Sequence, residues 1–412
     1  MDRADAAGLD GDDPLASFRN AFVIADDDLV YLDGNSLGRL PVATLDRIHE
    51  TVADQWGVGL VRSWHDWIAL PQQVGDELAP IIGAAPGEVL ISDQTSLNLF
   101  KLASAAVTVE RPDIVTDSTN FPSDIYVLDS VARAAGGRLI VVDCDDVEGP
   151  SIDRIEQHLS ESVGVVALSH VAFKSAAIAD MATITAAAHR AGALALWDLS
   201  HSAGAVPVAL DDCEADLAVG CTYKHLNGGP GAPAFLYVAE RLQRTLRQPI
   251  AGWWGHATMF EFTLDYRPAA DLRRFAVGTP SIVALRAAAV GIGLTAKAGV
   301  EAIRAKNTSL TSLLVERYDA RLARIGFTLG SPRDAAARGS HVSLRHGEAS
   351  RITQALIERS IVPDFRAPDN IRIGVAGLYT THVEVWDAVE ALAQIVERRE
   401  YERFAADISG VT

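Results

Sequence analysis

Asp198 and Lys224 lie 26 residues apart, each following an apolar run, and together they have a definite chemical use. Asp198 closes the run Ala193–Trp197 and leads into Leu199-Ser200-His201-Ser202-Ala203-Gly204. Lys224 sits in Thr222-Tyr223-Lys224-His225, just past the run Ala215–Cys221. A lysine amine condenses with an aldehyde, and a carboxylate holds a pyridine nitrogen protonated. Pyridoxal phosphate needs both: the amine tethers the cofactor, and the carboxylate keeps its ring an electron sink. At ~4 Å and an effective dielectric of ~20, the charge pair is worth roughly 4 kcal/mol. Thr95 and Ser96 follow the run Glu88–Ser92 and open a helical stretch, so their hydroxyls, amides and helix dipole suit the phosphate. Taken singly, each has a plainer reading. An aspartate at a strand end is usually a cap or turn former, and a lone lysine is usually a solvated charge.

The elements around these residues argue that they meet. Apolar runs at Glu88–Ser92, Asp113–Thr116, Arg138–Asp143, Val163–Ser169, Ala193–Asp198, Ala215–Cys221 and Ala234–Val238 predict strands. Helical patterns at Ser96–Val107, Asp124–Ala135 and Thr183–Ala191 separate several of them, the last stopped by Gly192. This alternation predicts an α/β fold with a mostly parallel central sheet, and ligands then bind beyond the carboxyl ends of the strands. Helices are expected over Ile282–Lys297 and Val300–Ile325, and beyond them come a strand His341–Leu344, a helix Ala349–Ser360, a strand Ile371–Val375 and a helix His382–Glu397. The expected division is a large cofactor-binding unit over residues 60–280 and a smaller α+β unit made of residues 1–59 with 281–412.

Composition excludes several classes. The 412 residues carry 36 Lys+Arg against 54 Asp+Glu, a net charge of −18, which repels nucleic acid in the absence of a basic stripe. No run approaches the ~20 apolar residues of a membrane span, and the opening residues lack a secretory pattern, so a cytoplasmic protein without nucleic-acid or membrane partners is expected. Cys144, Cys213 and Cys221 form no metal or disulfide pattern, and no metal is expected. Gly228-Gly229-Pro230-Gly231 lacks the spacing of a nucleotide loop and reads as a chain bend.

Six ordered strings carry a family resemblance: Tyr31-Leu-Asp-Gly-Asn-Ser-Leu-Gly38, Phe121-Pro-Ser-Asp124, Trp197-Asp-Leu-Ser-His-Ser-Ala-Gly204, Tyr223-Lys-His-Leu-Asn-Gly-Gly-Pro-Gly231, Gly252-Trp-Trp-Gly-His256 and Asp364-Phe-Arg-Ala-Pro-Asp-Asn-Ile-Arg372. Together they resemble kynureninase, a fold-type-I pyridoxal phosphate hydrolase, class-V aminotransferase-like, that splits kynurenine into anthranilate and alanine. The resemblance implies pyridoxal 5′-phosphate bound through Lys224, with Asp198 on the pyridine nitrogen and His201 beside it. Thr95, Ser96 and Tyr223 match phosphate-side contacts. Phe121, Pro122, Ser123 and Asp124 match the segment that covers the ring, and Ser169 another cofactor contact. Trp253 and Thr279 resemble contacts contributed by a neighbouring subunit, which implies a homodimer with shared sites.

Arg372 matches the arginine that grips the substrate carboxylate, a task suited to its planar fork, although a surface strand arginine is its plainer reading. Ser36 resembles a substrate contact, and His65 in the compact Arg62-Ser-Trp-His-Asp-Trp67 turn is expected to reach the aryl pocket. Lys224 is the implied base and Tyr223 the implied proton relay. Kynurenine, its 3-hydroxy form or a ring-modified analogue all remain open as substrate. Tryptophan catabolism and NAD biosynthesis are the implied setting. The rival is a desulfurase or aminotransferase of the same fold. A desulfurase needs a cysteine on a mobile loop, and these three lie within or beside predicted strands.

Overall fold

The computed structural model describes residues 1–405. A two-residue strand, Val30–Tyr31 (β1), precedes seven strands that form one sheet: Val89–Ile91 (β2), Asp113–Asp117 (β3), Leu139–Val142 (β4), Val163–Ser169 (β5), Leu194–Asp198 (β6), Leu217–Gly220 (β7) and Phe235–Val238 (β8). Their order is β2-β8-β7-β6-β5-β3-β4. All pairings are parallel except those of β8, which is antiparallel to both neighbours. Helices cover both faces, which is why β5 is buried at every position and reads as an unbroken apolar run. Trp197 anchors one face of this core, donating its indole N–H to Thr185 Oγ1 at 3.1 Å.

A second sheet follows, made of Thr328–Leu329 (β9), His341–Arg345 (β10), Asp364–Arg366 (β12) and Asn370–Gly374 (β13), antiparallel in the order β12-β13-β10-β9. Ile361–Val362 (β11) pairs instead with β1, in parallel. Val342, Leu344, Ile371 and Ile373 pack with the helices Ala349–Glu358 and His382–Glu397 in a core of their own, which also takes in Ala6 and Leu32. The helices Ile282–Ala298 and Val300–Arg317 link the two cores. Leu285 and Ile292 of the first pack against the large sheet, and Leu310 and Leu314 of the second pack in the small core. The chain bends by 83° between them at Gly299, whose φ of +80° favours a residue without a side chain.

Residues 2–39 are tied into this second core. The helix Arg3–Gly11 lies against His382–Glu397, and Asp10 accepts from the His382 and Val383 amides at that helix's first turn. Lys306 pairs with Asp13 at 2.6 Å, and Arg19 with Glu384 at 2.8 Å. These anchors carry the chain to β1 and to the turn Asp33–Leu37, where Gly374 donates to the Leu32 carbonyl.

Candidate active site

The carboxyl ends of β2, β3, β5, β6 and β7 open on one side of the large sheet, around a cavity of about 490 Å³. Thr95, Ser96, Phe121, Ser123, Asp124, Ser169, Asp198, His201, Tyr223 and Lys224 line it from the large sheet, and Ser36, Arg366 and Arg372 from the other side. The structure therefore brings together residues from seven separate stretches of chain.

Each is held by local chemistry. Asp198 ends β6, is nearly inaccessible to water and accepts from the Ser200 amide at 2.8 Å. Burial, then the charge of Asp198 and a hydrogen bond to it, push the Asp124 carboxyl well above the usual range, with Lys224 opposing. Two carboxyls in one buried site disfavour double ionisation, so Asp124 is the member that holds a proton. Lys224 Nζ lies 3.0 Å from His201 Nε2. Burial and the Lys224 charge hold the His201 imidazole well below its ordinary value, so it is neutral. Asn120 organises the β3 turn: it accepts from Ser169 Oγ at 2.8 Å and from the Phe121 amide at 2.7 Å, and donates to Thr116 Oγ1 at 3.0 Å. Phe121 then meets Phe173 edge to face, with centroids 5.2 Å apart.

Several features fit a pyridine phosphate. The helix Thr95–Ala106 begins at the cavity wall with no side chain capping it, so its first amides are free for an anion. The buried Nδ1 of His201 has no hydrogen-bond partner. The acidic pair Asp124/Asp198 suits a protonated ring nitrogen, and Lys224 supplies the amine.

On the wall from the second sheet, Arg372 on β13 is 1% exposed, so it is a buried cation and not a surface strand residue. It donates to Ser36 Oγ at 2.8 Å and to the Phe173 carbonyl at 2.6 Å, and it pairs with Asp364. The Asn35 amide, turned oxygen-inward, accepts from its Nε at 2.8 Å. Burial lowers Arg372 to about 10, which leaves it charged at neutral pH. The Cys221 thiol beside it, burial and the Asp198 charge push the Tyr223 phenol upward against Arg366, so it carries its proton.

Other expected residues lie elsewhere. The His65 side chain is 94% exposed beside Asp66, outside the cavity, which corrects its expected approach to the aryl pocket. The turn directs Trp64 inward instead, against Trp67 and Trp254. Pro122 starts the helix Pro122–Ala134 and is not part of the wall. Trp253 is partly exposed and packs on Trp254 and Phe260, and Thr279 lines a smaller adjoining cavity with Ser92, Asp93 and Gln94.

Phe173, Gln94, Ser200 and Arg366 escape sequence reasoning, although Arg366 lies inside the string Asp364–Arg372. Lys101 escapes it too. Its ammonium is fully buried and reaches Asp93 Oδ2 at 2.7 Å and the Phe275 carbonyl at 2.8 Å, which fixes the turn ahead of Thr95. None of the cysteines is poised as an acceptor. All three are free, and burial pushes each thiol up, Cys144 to about 11.

An amine, an acidic dyad, an open helix end and a buried guanidinium around one cavity of a parallel sheet define a pyridoxal phosphate enzyme of fold type I. The fold agrees: an apo cysteine desulfurase from Thermococcus onnurineus NA1 superposes with a TM-score of 0.80 over 93% of this chain and 98% of its own, at 20% identity. A profile described as "Kynureninase C-terminal domain" matches residues 303–392. Two relatives named kynureninase match nearly throughout. The one from Pseudomonas fluorescens is 43% identical over 96% of each chain. The one from Burkholderia pseudomallei (strain 1106a) is 42% identical over 96% of this chain and 95% of its own. The chain belongs to the kynureninase family.

Proposed function

We propose that the protein hydrolyses the Cβ–Cγ bond of L-kynurenine, or of a 3-hydroxy or ring-modified analogue, to anthranilate or its derivative and L-alanine. The carrying observation is that the Arg372 guanidinium and the Lys224 amine line one cavity, as an amino acid bound at both its carboxylate and its amine requires. Pyridoxal phosphate, when bound, withdraws electrons from the amino-acid carbons. Asp198 would hold its ring nitrogen, Thr95 and Ser96 its phosphate, and Phe121 its face.

In this reading Arg372 and Ser36 orient the substrate carboxylate. Lys224 Nζ takes and returns the α-proton, with His201 as its hydrogen-bond partner. The Tyr223 hydroxyl delivers the proton that ends on Cβ. The reaction consumes one water: its hydroxyl ends on the aryl carbonyl carbon and its hydrogen balances the new C–H bond of alanine. A desulfurase reading lacks a cysteine in the cavity wall among the described residues.

A homodimer with shared sites is supported by apolar side chains left in solvent. Val58, Val61, Phe262 and Leu264 are 68%, 74%, 73% and 103% exposed on two surface segments, and Trp253 sits beside the second of them. The division into residues 60–280 and 1–59 with 281–412 is supported by the separate core that joins Ala6 and Leu32 to Leu310 and Leu392. Three free thiols support a reducing compartment, which we read as the cytoplasm, and the substrate places the protein in tryptophan catabolism. Among the described residues no single helix is long and apolar enough to cross a membrane.

The test is incubation of the cofactor-loaded protein with kynurenine. Fluorescent anthranilate and alanine in equal amounts are expected; a keto acid or a persulfide as product overturns the proposal.

A further inference from the structure

Two carboxylates and two guanidiniums are packed together at the carboxylate end of the cavity. Asp33, Asp364 and Arg372 are each 5% exposed or less, and the Arg366 side chain is 27% exposed. Asp364 pairs with both arginines, at 3.0 Å to Arg366 Nε and closely to Arg372. Asp33 is differently placed. Among the described residues no arginine reaches it as an ion pair, and its buried Oδ1 has no hydrogen-bond partner.

With both acids ionised, the charges of Asp33, Asp364, Arg366 and Arg372 already sum to zero. A substrate carboxylate gripped by Arg372 brings in a third negative charge, and water is too scarce there to screen it. An uncompensated buried charge is costly, and the usual outcome is that a titratable group neutralises instead. We propose that Asp33 takes up a proton as the substrate carboxylate enters the Arg372 clamp, so that substrate binding is coupled to protonation. This rests on the reading of Arg372 as the carboxylate clamp.

Asp33 is the group predisposed to change. Burial and the Asp364 charge raise its carboxyl to about 6, against Ser36, Arg372 and Arg366. The other groups packed around it do not take its place. Tyr31 and Tyr379 flank it, and burial pushes both phenols upward, so both are neutral with or without ligand. Arg39 stacks on those two rings, 5.2 and 5.7 Å from their centroids. Beyond Arg372 lie His201, His225 and His341, which burial holds neutral.

The experiment uses cofactor-loaded protein and 3-benzoylpropanoate, a probe with the aryl ketone and the carboxylate but no amine to react with the cofactor. Binding is measured by calorimetry in two buffers of different ionisation enthalpy. Wild type is expected to take up about one proton per site near pH 7.5, and its affinity to fall up to about tenfold per pH unit above 6. Asp33→Asn is expected to bind with no uptake and a flat pH dependence. Wild-type binding with no proton change overturns the inference and leaves the Arg372 reading standing, as does undiminished uptake by Asp33→Asn. Failure of the probe to bind at all overturns both. The wild-type measurement decides the matter even where the variant does not fold.

Discussion

Replacing Lys101 with methionine is expected to weaken the turn on which the anion cradle is built. The ammonium is wholly shielded from water and touches Asp93 Oδ2 at 2.7 Å, the Phe275 carbonyl at 2.8 Å and Ser92 Oγ at 3.4 Å. Methionine fills the same channel, so the packing loss is small. The loss is electrostatic. Removing one member of a buried pair costs about 3–5 kcal/mol, and orphaning a buried carbonyl about 1–3 kcal/mol. Two effects reduce the sum. The Asp93 side chain is 24% exposed and recovers some hydration. Burial, which holds the ammonium below the ordinary lysine value despite Asp93, no longer opposes folding.

A net loss of about 3 kcal/mol is expected, read from urea unfolding followed by tryptophan fluorescence. Gln94, Thr95 and Ser96 follow Asp93 directly, so cofactor affinity is expected to fall about tenfold. Adding Asp93→Asn removes the stranded charge, and asparagine tolerates the left-handed backbone at this position, where φ is +48°. The double variant should regain about 1–2 kcal/mol over Lys101→Met alone. A double variant no more stable than the single one refutes the ion-pair reasoning.

Lys224→Ala is expected to abolish anthranilate formation, and a fluorescence assay that still detects turnover rejects this lysine as the base. Arg372→Lys keeps a charge but loses the fork that spans Ser36 and the Phe173 carbonyl, so kcat/KM should fall by about 30- to 150-fold, or 2–3 kcal/mol, mostly through KM. His65→Ala should leave steady-state constants within about twofold, since the ring is out in solvent. Burial raises the Asp10 carboxyl, but hydrogen bonds from the His382 ring and from the His382 and Val383 amides outweigh it and hold the group below its ordinary value. Its contribution is therefore present above about pH 4 and lost as pH falls through the folded value. Asp10→Asn should cost about 1–2 kcal/mol at pH 7, with the difference from wild type vanishing in denaturation curves as pH falls through the folded value.

Much of this architecture is legible in the sequence because burial on both faces leaves a plain signature. The strand Val163–Ser169 and the helix His382–Glu397 occur with the bounds their patterns predict. Strand direction leaves no such mark: Phe235–Val238 is as apolar as its neighbours, yet runs against them. The short strands β1, β9 and β12 leave no pattern that marks them, whereas β2, as short as β12, sits within a longer apolar run. At the site, Lys224 and Asp198 are legible because each closes an apolar run. Lys101 is hidden for the opposite reason, since a charge amid Leu99, Leu102 and Ala103 looks like an interruption of a helix face and its partners lie on other segments. Asp33, Asn35 and Phe173 gain their meaning only from Arg372, hundreds of residues away or on another sheet.

The anchoring of residues 2–39 on helices near residues 303–392 has a consequence for how the polypeptide emerges from the ribosome. Asp10, Asp13 and Arg19 find their partners on His382, Lys306 and Glu384. These early residues, and with them Asp33 and Ser36, must wait while roughly three hundred or more others are translated. The large sheet has all seven strands by residue 238 and is free to assemble meanwhile. The carboxylate end of the pocket is thus among the last parts of the molecule to mature, so a nascent chain stalled near residue 300 would carry the lysine but no means of gripping an amino acid.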